Sequence, residues 1–411
     1  MWRNFNVIRL MGGAVWNQAT ELGQIVGSMG WKTTLSAVPE LRTLRRDILT
    51  GKAPTDLLDH LENTIGGVGS EYVARMEFGV KDDWVRNMGD TRMNQWLDKV
   101  DQGVNKMARG VLDYTGMTPL MIQQKRVHAV ALVNHFVNNA NGKIQSKFLT
   151  KDRLAWMGLD DDMASRVNTN LQKYSKPTKG EYSDTFKLDF KAWVDADPES
   201  HSAFMNAIHR ESRRVIQEND LASMIPIMGS TLGKTVFQFM NFSMHGWNKS
   251  LMFAANHRDW TTLSTVMQAS TLASLAYMGR TMLSAAGMDE DKKRQYLEQR
   301  MSAQQIVANS FGRISQMSLL PNLYDTLSPY PLFQGMRTTS DLSSLASNPT
   351  YQAINGVLSM KKIIRNGLSD EYQTTAQDIR AWGKLLPMNN VVPISSLLNQ
   401  IANDYPTTDQ E

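Results

Sequence analysis

Between residues 221 and 288 the chain runs 68 residues with five formal charges, Lys234, Lys249, Arg258, Asp259 and Arg280. The rest is largely Met, Phe, Trp, Ala, Ser, Thr and Gly at helical spacing. Val236, Met240, Met244, Trp247, Leu251 and Ala254 fall on one stripe of a helical wheel, and Phe239, Phe242 and Phe253 fall on the opposite side. A surface helix of a soluble domain rarely carries aromatics on both faces. The pattern therefore predicts a helix wrapped by protein or facing lipid on one side.

Residues 261 to 279 then give 19 consecutive uncharged positions. As helix they measure about 28 Å at ~1.5 Å per residue, close to the ~30 Å of a bilayer's hydrocarbon core. Seven of them are Ser or Thr and one is Gln268, which weighs against insertion as a lone helix. Ala269 with Ala273, and Ser270 with Ser274, set small residues four apart, a spacing that lets helices approach closely in a bundle. The expected membrane- or subunit-contacting residues are Phe239, Met240, Phe242, Met244, Trp247, Leu251, Phe253, Leu272, Leu275 and Tyr277. A buried helix inside a large soluble bundle is the alternative.

The same stretch contains Gly229-Ser-Thr-Leu-Gly-Lys-Thr235, which resembles a nucleotide-binding loop. Such a loop needs four residues between its glycines and a buried strand before it, so that backbone amides wrap the phosphates. Here three residues intervene, and the preceding segment reads as a helix ending at Pro226. The glycines are expected to mark a helix break.

Periodicity elsewhere predicts an all-α, elongated multi-helix chain with at most one short hairpin or strand. Only residues 185 to 190 alternate, with Phe186, Leu188 and Phe190 on one side. Four regions are expected: 1–117, 118–222, the charge-poor 223–340, and a helical 341–411 whose tail from Pro387 is rich in Asn, Pro, Ser and Thr and disordered in its last residues. Thr118-Pro119 should start a helix that runs to Asn141-Gly142, with its centre, 127–137, buried all round. Asp160-Asp161-Asp162 and Asp197-Pro198-Glu199 should each open a helix, the second extending towards Ala222.

Candidate chemistry is sparse. His128 and His135, and likewise Glu211 and Glu218, sit seven apart, about 10.5 Å along a helix at ~1.5 Å per residue, too far for a shared metal shell. Buried contacts between helices are the expectation for them, and no cofactor, metal or catalytic set is expected. The chain of 411 residues has no cysteine, which excludes disulfides and thiolate chemistry, and its 26 methionines favour adaptable packing. Its net charge of +4 is compatible with nucleic acid or an anionic membrane. Residues 150–174 have a helix-turn-helix outline, but three aspartates open its second helix and would repel DNA. Arg42, Arg45 and Arg46, with Lys361, Lys362 and Arg365, are the candidates for non-specific contact with a duplex backbone.

Three segments carry a family resemblance: Trp2-Arg-Asn-Phe-Asn-Val-Ile-Arg-Leu10, Arg210-Glu-Ser-Arg-Arg-Val-Ile-Gln-Glu-Asn219, and Phe237-Gln-Phe-Met-Asn-Phe-Ser243 followed by Trp247-Asn-Lys-Ser250. They resemble the large internal virion proteins of short-tailed podophages, in the portion downstream of that family's lytic transglycosylase domain. The resemblance implies a protein held in the capsid's internal core and ejected through the tail. It would then reassemble with partner ejection proteins, as a ring-type homo-oligomer at the host envelope and inner membrane, into a conduit for double-stranded viral DNA. Glu199-Ser200-His201 and Glu211-Ser212-Arg213 lack the sequence context of the family's murein-cleaving Glu-Ser pair, so no catalytic residue carries over. The alternatives are a murein-cleaving or nucleotide-driven enzyme subunit, and a soluble helical scaffold of the capsid core.

Overall fold

The computed structural model describes, apart from single positions, residues 18–37, 102–111, 117–178, 185–216, 246–314, 349–368 and 374–406, together with isolated positions before 18 and at 317. In chain order the elements are α1 (Gln18–Met29), α2 (Met117–Ala140), α3 (Lys151–Met157), α4 (Asp161–Tyr174), β1 (Ser175–Thr178), β2 (Thr185–Leu188), α5 (Phe190–Ala196) and α6 (Pro198–Val215). A π-helical turn (Gly246–Leu251) leads into α7 (Met252–Asn256), α8 (Trp260–Ala285), α9 (Glu290–Arg300), α10 (Ala303–Phe311), α11 (Pro349–Leu368), α12 (Ala376–Gly383) and α13 (Val392–Asn403). The fold is all-α, and among the described residues one hairpin pairs β1 with β2 antiparallel, Ser175 opposite Leu188 and Thr178 opposite Thr185.

Helix starts follow the acidic residues. Asp160 accepts a hydrogen bond from the Met163 amide, and Asp197 accepts one from Ser200 with Pro198 in the first turn. Each satisfies an amide that the helix itself cannot pair. Helix α6 ends at Val215, short of the expected run towards Ala222. At the C-terminus α13 occupies part of the Asn/Pro/Ser/Thr-rich tail, whose last residues, 407–411, lie outside the described residues. Pro393 stands in its first turn, where a missing amide costs nothing, and Leu398 and Ala402 are buried.

The main core forms around α2, whose residues 127–137 are all buried. Phe136 meets Phe204 of α6 edge to face at 5.4 Å between ring centroids. Trp193 is sealed beside them, its indole nitrogen donating to the Ser200 hydroxyl at 2.9 Å, so its polar group is satisfied inside the core. Helices α1, α4 and α6 and strand β2 pack against α2.

Candidate functional site

Helix α8 is 26 residues long and is held at its start by a buried charge cluster. Asp259 caps it by accepting from the Thr262 amide at 2.8 Å, and accepts two further bonds from the Arg153 guanidinium at 3.1 and 2.9 Å. Arg153, from α3, is 2% exposed and also donates to the Thr262 hydroxyl. Beside it Phe253 lies between two guanidiniums, Arg214 at 3.9 Å and Arg153 at 5.1 Å from its ring centroid. Arg214 in turn forms a bidentate pair with Glu211, which is fully buried. Burial alone would raise the Glu211 pKa. The Arg214 charge and hydrogen bonds, with His128 and Arg153 adding to them, reverse this and hold it below the usual glutamate value.

That polarity decides what Glu211 can do. A murein-cleaving general acid needs a carboxyl kept protonated near neutrality, whereas the environment of Glu211 stabilises the anion. Its full burial and bidentate bond to Arg214 fit a structural contact. Together Arg153, Glu211, Arg214, Phe253 and Asp259 tie α3, α6, α7 and α8 into one joint.

Along α8 two parallel rows of side chains have opposite fates. Thr261, Thr265, Ala269, Ala273, Tyr277, Thr281 and Ala285, every fourth residue, are buried. They are small apart from Tyr277, and α1 crosses antiparallel on the N-terminal part of the row. A Cβ added at Gly23 would stand 2.5 Å from the Ala269 Cα, and one at Gly27 would stand 2.3 Å from the Thr265 Cα. Two glycines four apart on α1 thus admit backbone-to-backbone contact, the close crossing that small residues permit. Two residues further round, Leu263, Met267, Leu275 and Leu283 stand 49–58% exposed, again at multiples of four. Trp260, 65% exposed, begins the same side.

The hydroxyls that make this segment polar are turned inward on the helix itself. Thr265, Ser270, Thr271, Ser274, Thr281 and Ser284 each donate to the carbonyl four residues back, at 2.8–2.9 Å. Ser274 also meets Ser310 of α10 at 2.7 Å. Among the described residues no helix is long and apolar enough to cross a membrane, so α8 has the length for a span without the hydropathy.

Of the residues expected to make contacts, Phe239, Met240, Phe242 and Met244 lie outside the described residues, as do Arg42, Arg45, Arg46 and the Gly229–Thr235 loop. The single helical stripe drawn to Ala254 is interrupted, because Gly246–Leu251 is π-helical and changes the residues per turn before α7 begins. Trp247 sits in that turn, and Leu251 at its end is half-buried. Phe253, expected to make a membrane or subunit contact, is buried in the arginine joint. Leu275 is exposed, Leu272 half-buried, and Tyr277 buried with its hydroxyl donating to the Arg300 carbonyl at 2.9 Å. Lys361, Lys362 and Arg365 are exposed on α11. Exposed Ile354, Val357, Leu358, Met360 and Ile364 accompany them, while Gly356 is packed on Ala381 and Leu385 at the α12 side.

The two histidines are contacts between buried segments. His128 Nδ1 lies 2.9 Å from the Ser212 hydroxyl, and His135 Nε2 lies 2.6 Å from that of Ser146. Burial pushes both pKa values from 6.5 down to about 4. Both imidazoles therefore stay neutral in the folded chain while the unfolded chain binds protons from about pH 6.5 downward. Their contribution is fully present above pH 6.5 and is lost as pH falls towards 4. The melting temperature is expected to decline across that window, and less steeply in His128→Gln/His135→Gln. A level profile in the parent protein would contradict the burial of both rings.

Compared with protein-family models, with curated proteins and with solved structures, the chain matches none of them.

Proposed function

We propose that this chain is a non-enzymatic internal virion protein of the DNA-ejection class, carried in a phage capsid core and delivered to the host cell envelope. There, copies of it assemble with partner ejection proteins into a conduit for double-stranded DNA. The observation that carries this reading is the exposed apolar ridge on α8, Leu263, Met267, Leu275 and Leu283, which winds round the helix opposite the buried ridge that α1 meets at Thr265 and Ala269. A helix locked on one side presents the other at a fixed angle, which is what a repeated subunit contact needs.

A second copy of the chain is the occupant we assign to that row. The exposed apolar side of α11, with Ile354, Leu358 and Ile364, is a different surface from the α8 row. Two unlike surfaces suit a heterologous contact, in which the row of one copy seats on the other surface of the next. Such contacts generate rings when the rotation closes. Lys361, Lys362 and Arg365 beside the α11 surface supply backbone-directed charge for a duplex passing through.

Light scattering on the full chain tests the assembly. Leu263→Asp/Leu275→Asp places two charges on exposed positions, so the variant is expected to keep the parent melting temperature while its oligomer falls to monomer. A parent protein that stays monomeric at every concentration, or a variant that assembles like the parent, would overturn the reading.

A further inference from the structure

We propose that the pocket between the end of α1, the connection from α2 to α3 and the start of α8 binds a saccharide unit that carries an acidic group. The pocket has a volume of about 300 Å³, at the lower end of the range that small-molecule sites occupy. Its walls are held in place by the chain itself. Gly27, part of the lining, brings α1 onto the α8 backbone at Thr265, and the Thr261 hydroxyl donates to the Lys147 carbonyl at 3.3 Å, which ties the connection to α8. Ser146 anchors the same connection to α2. Its hydroxyl oxygen accepts from the Phe148 and Leu149 amides at 3.1 and 3.0 Å, which leaves its proton for His135 Nε2 at 2.6 Å. A site already held in shape loses little freedom when a ligand enters.

Two kinds of surface meet in the lining. The Trp260 indole, 65% exposed, supplies a flat apolar wall. Thr33, Gln145 and Ser264 supply two hydroxyls and an amide, groups that can both donate and accept. Further along α8 the hydroxyls are used within the helix, but among the described residues the Ser264 hydroxyl and the Gln145 amide have no hydrogen-bond partner. A sugar ring is the complement of this arrangement, with an apolar C–H face to lie on an indole and a rim of hydroxyls that each donate and accept. A wholly apolar ligand would bury those polar groups unpaired.

Charge narrows the class further. Lys147 lines the pocket, no Asp or Glu does so among the described residues, and Asp259, next to Trp260, is engaged by Arg153. The Lys147 side chain is exposed and in no ion pair among the described residues. One ammonium at the edge suits a single carboxylate or phosphate on the sugar, where a polyphosphate would need several cations. The inference goes beyond the assembly reading and does not rest on it, since Leu263, Met267, Leu275 and Leu283 do not line the pocket.

Saturation-transfer NMR on the full chain with glucose, glucuronic acid and glucose 6-phosphate is the test. Both acidic sugars are expected to bind more tightly than glucose, with the strongest transfer at their ring C–H protons, and the tighter of the two identifies the acid as carboxylate or phosphate. Trp260→Ala should weaken all three roughly 10-fold. Lys147→Gln should weaken the acidic sugars roughly 3-fold and leave glucose unchanged. Both side chains are exposed, so both variants should keep the parent melting temperature. The Lys147→Gln light-scattering mass should match the parent's, which separates this result from the assembly through α8. Absence of transfer to every sugar, or equal binding by parent and both variants, would overturn the proposal. So would acetate or inorganic phosphate displacing the acidic sugars at equal concentration, or tighter binding of a nucleoside monophosphate, because either moves the site to another ligand.

Discussion

Glu211→Gln is expected to lower the unfolding free energy by about 3–5 kcal/mol, the usual cost of removing one partner from a buried ion pair. Glutamine keeps the shape but leaves the Arg214 guanidinium, itself 5% exposed, without its counter-charge. The effect should spread, because Arg214 also stacks on Phe253, and Phe253 touches Arg153, which holds the first turn of α8. In urea denaturation the midpoint should fall with little change in slope. Replacing both partners by apolar residues, Glu211→Leu/Arg214→Met, should recover most of the loss, since well-packed apolar pairs replace buried ion pairs at little cost. A midpoint shift worth less than about 1 kcal/mol for the single variant would mean that the pair is solvated, as exposed pairs are.

Gly27→Val should separate α1 from α8. Its Cβ would fall 2.3 Å from the Thr265 Cα, where ordinary contact is 3.4–4 Å, and the obstacle is backbone that has no rotamer to escape into. Overpacking of this kind costs about 1–3 kcal/mol where side chains can shift, and more is expected where they cannot. Gly110 supplies the contrast: nothing among the described residues lies within 4 Å of its added Cβ, so Gly110→Ala should be neutral or stabilising by up to about 1 kcal/mol. The chain has no cysteine, so a pair of introduced cysteines can carry spin labels at exposed Trp31 and Leu263 without background. Gly27→Val should lengthen and broaden the distance between them. An unchanged distance with unchanged stability would rule out the glycine crossing.

Much of this architecture is legible in the residues, and the parts that are not have identifiable physical reasons. The burial of residues 127–137 follows from an apolar run without a polar face, and the starts at Asp160 and Asp197 follow from cap chemistry. Nothing in the residues next to Gly23 and Gly27 marks them as a contact surface. Their use as a contact surface depends on Thr265 and Ala269, more than 200 positions away, which no local pattern can announce. Strand β1 is hidden for a similar reason, since Ser-Lys-Pro-Thr has no alternation and only pairing with β2 makes it a strand. At the site, the four-residue spacing of small residues on α8 is visible in the sequence, and Ala269 and Ala273 are buried accordingly. The π-helical turn at Gly246–Leu251 is not visible, because it shifts register without a proline to mark it. Beyond that turn Phe253 lies in the joint with Arg153 and Arg214. The arginine joint itself is long-range chemistry: Arg153 and Asp259 are 106 residues apart, and each looks like an ordinary surface charge in its own segment.

Quantitative mass spectrometry of purified virions, and then of the envelope fraction of infected cells, tests whether the chain is an ejected virion protein. The account predicts this chain inside the particle before infection, depleted from it after adsorption, and recovered with the cell envelope alongside the incoming DNA. A chain missing from purified virions, or one retained in spent particles after the genome has left, would contradict it.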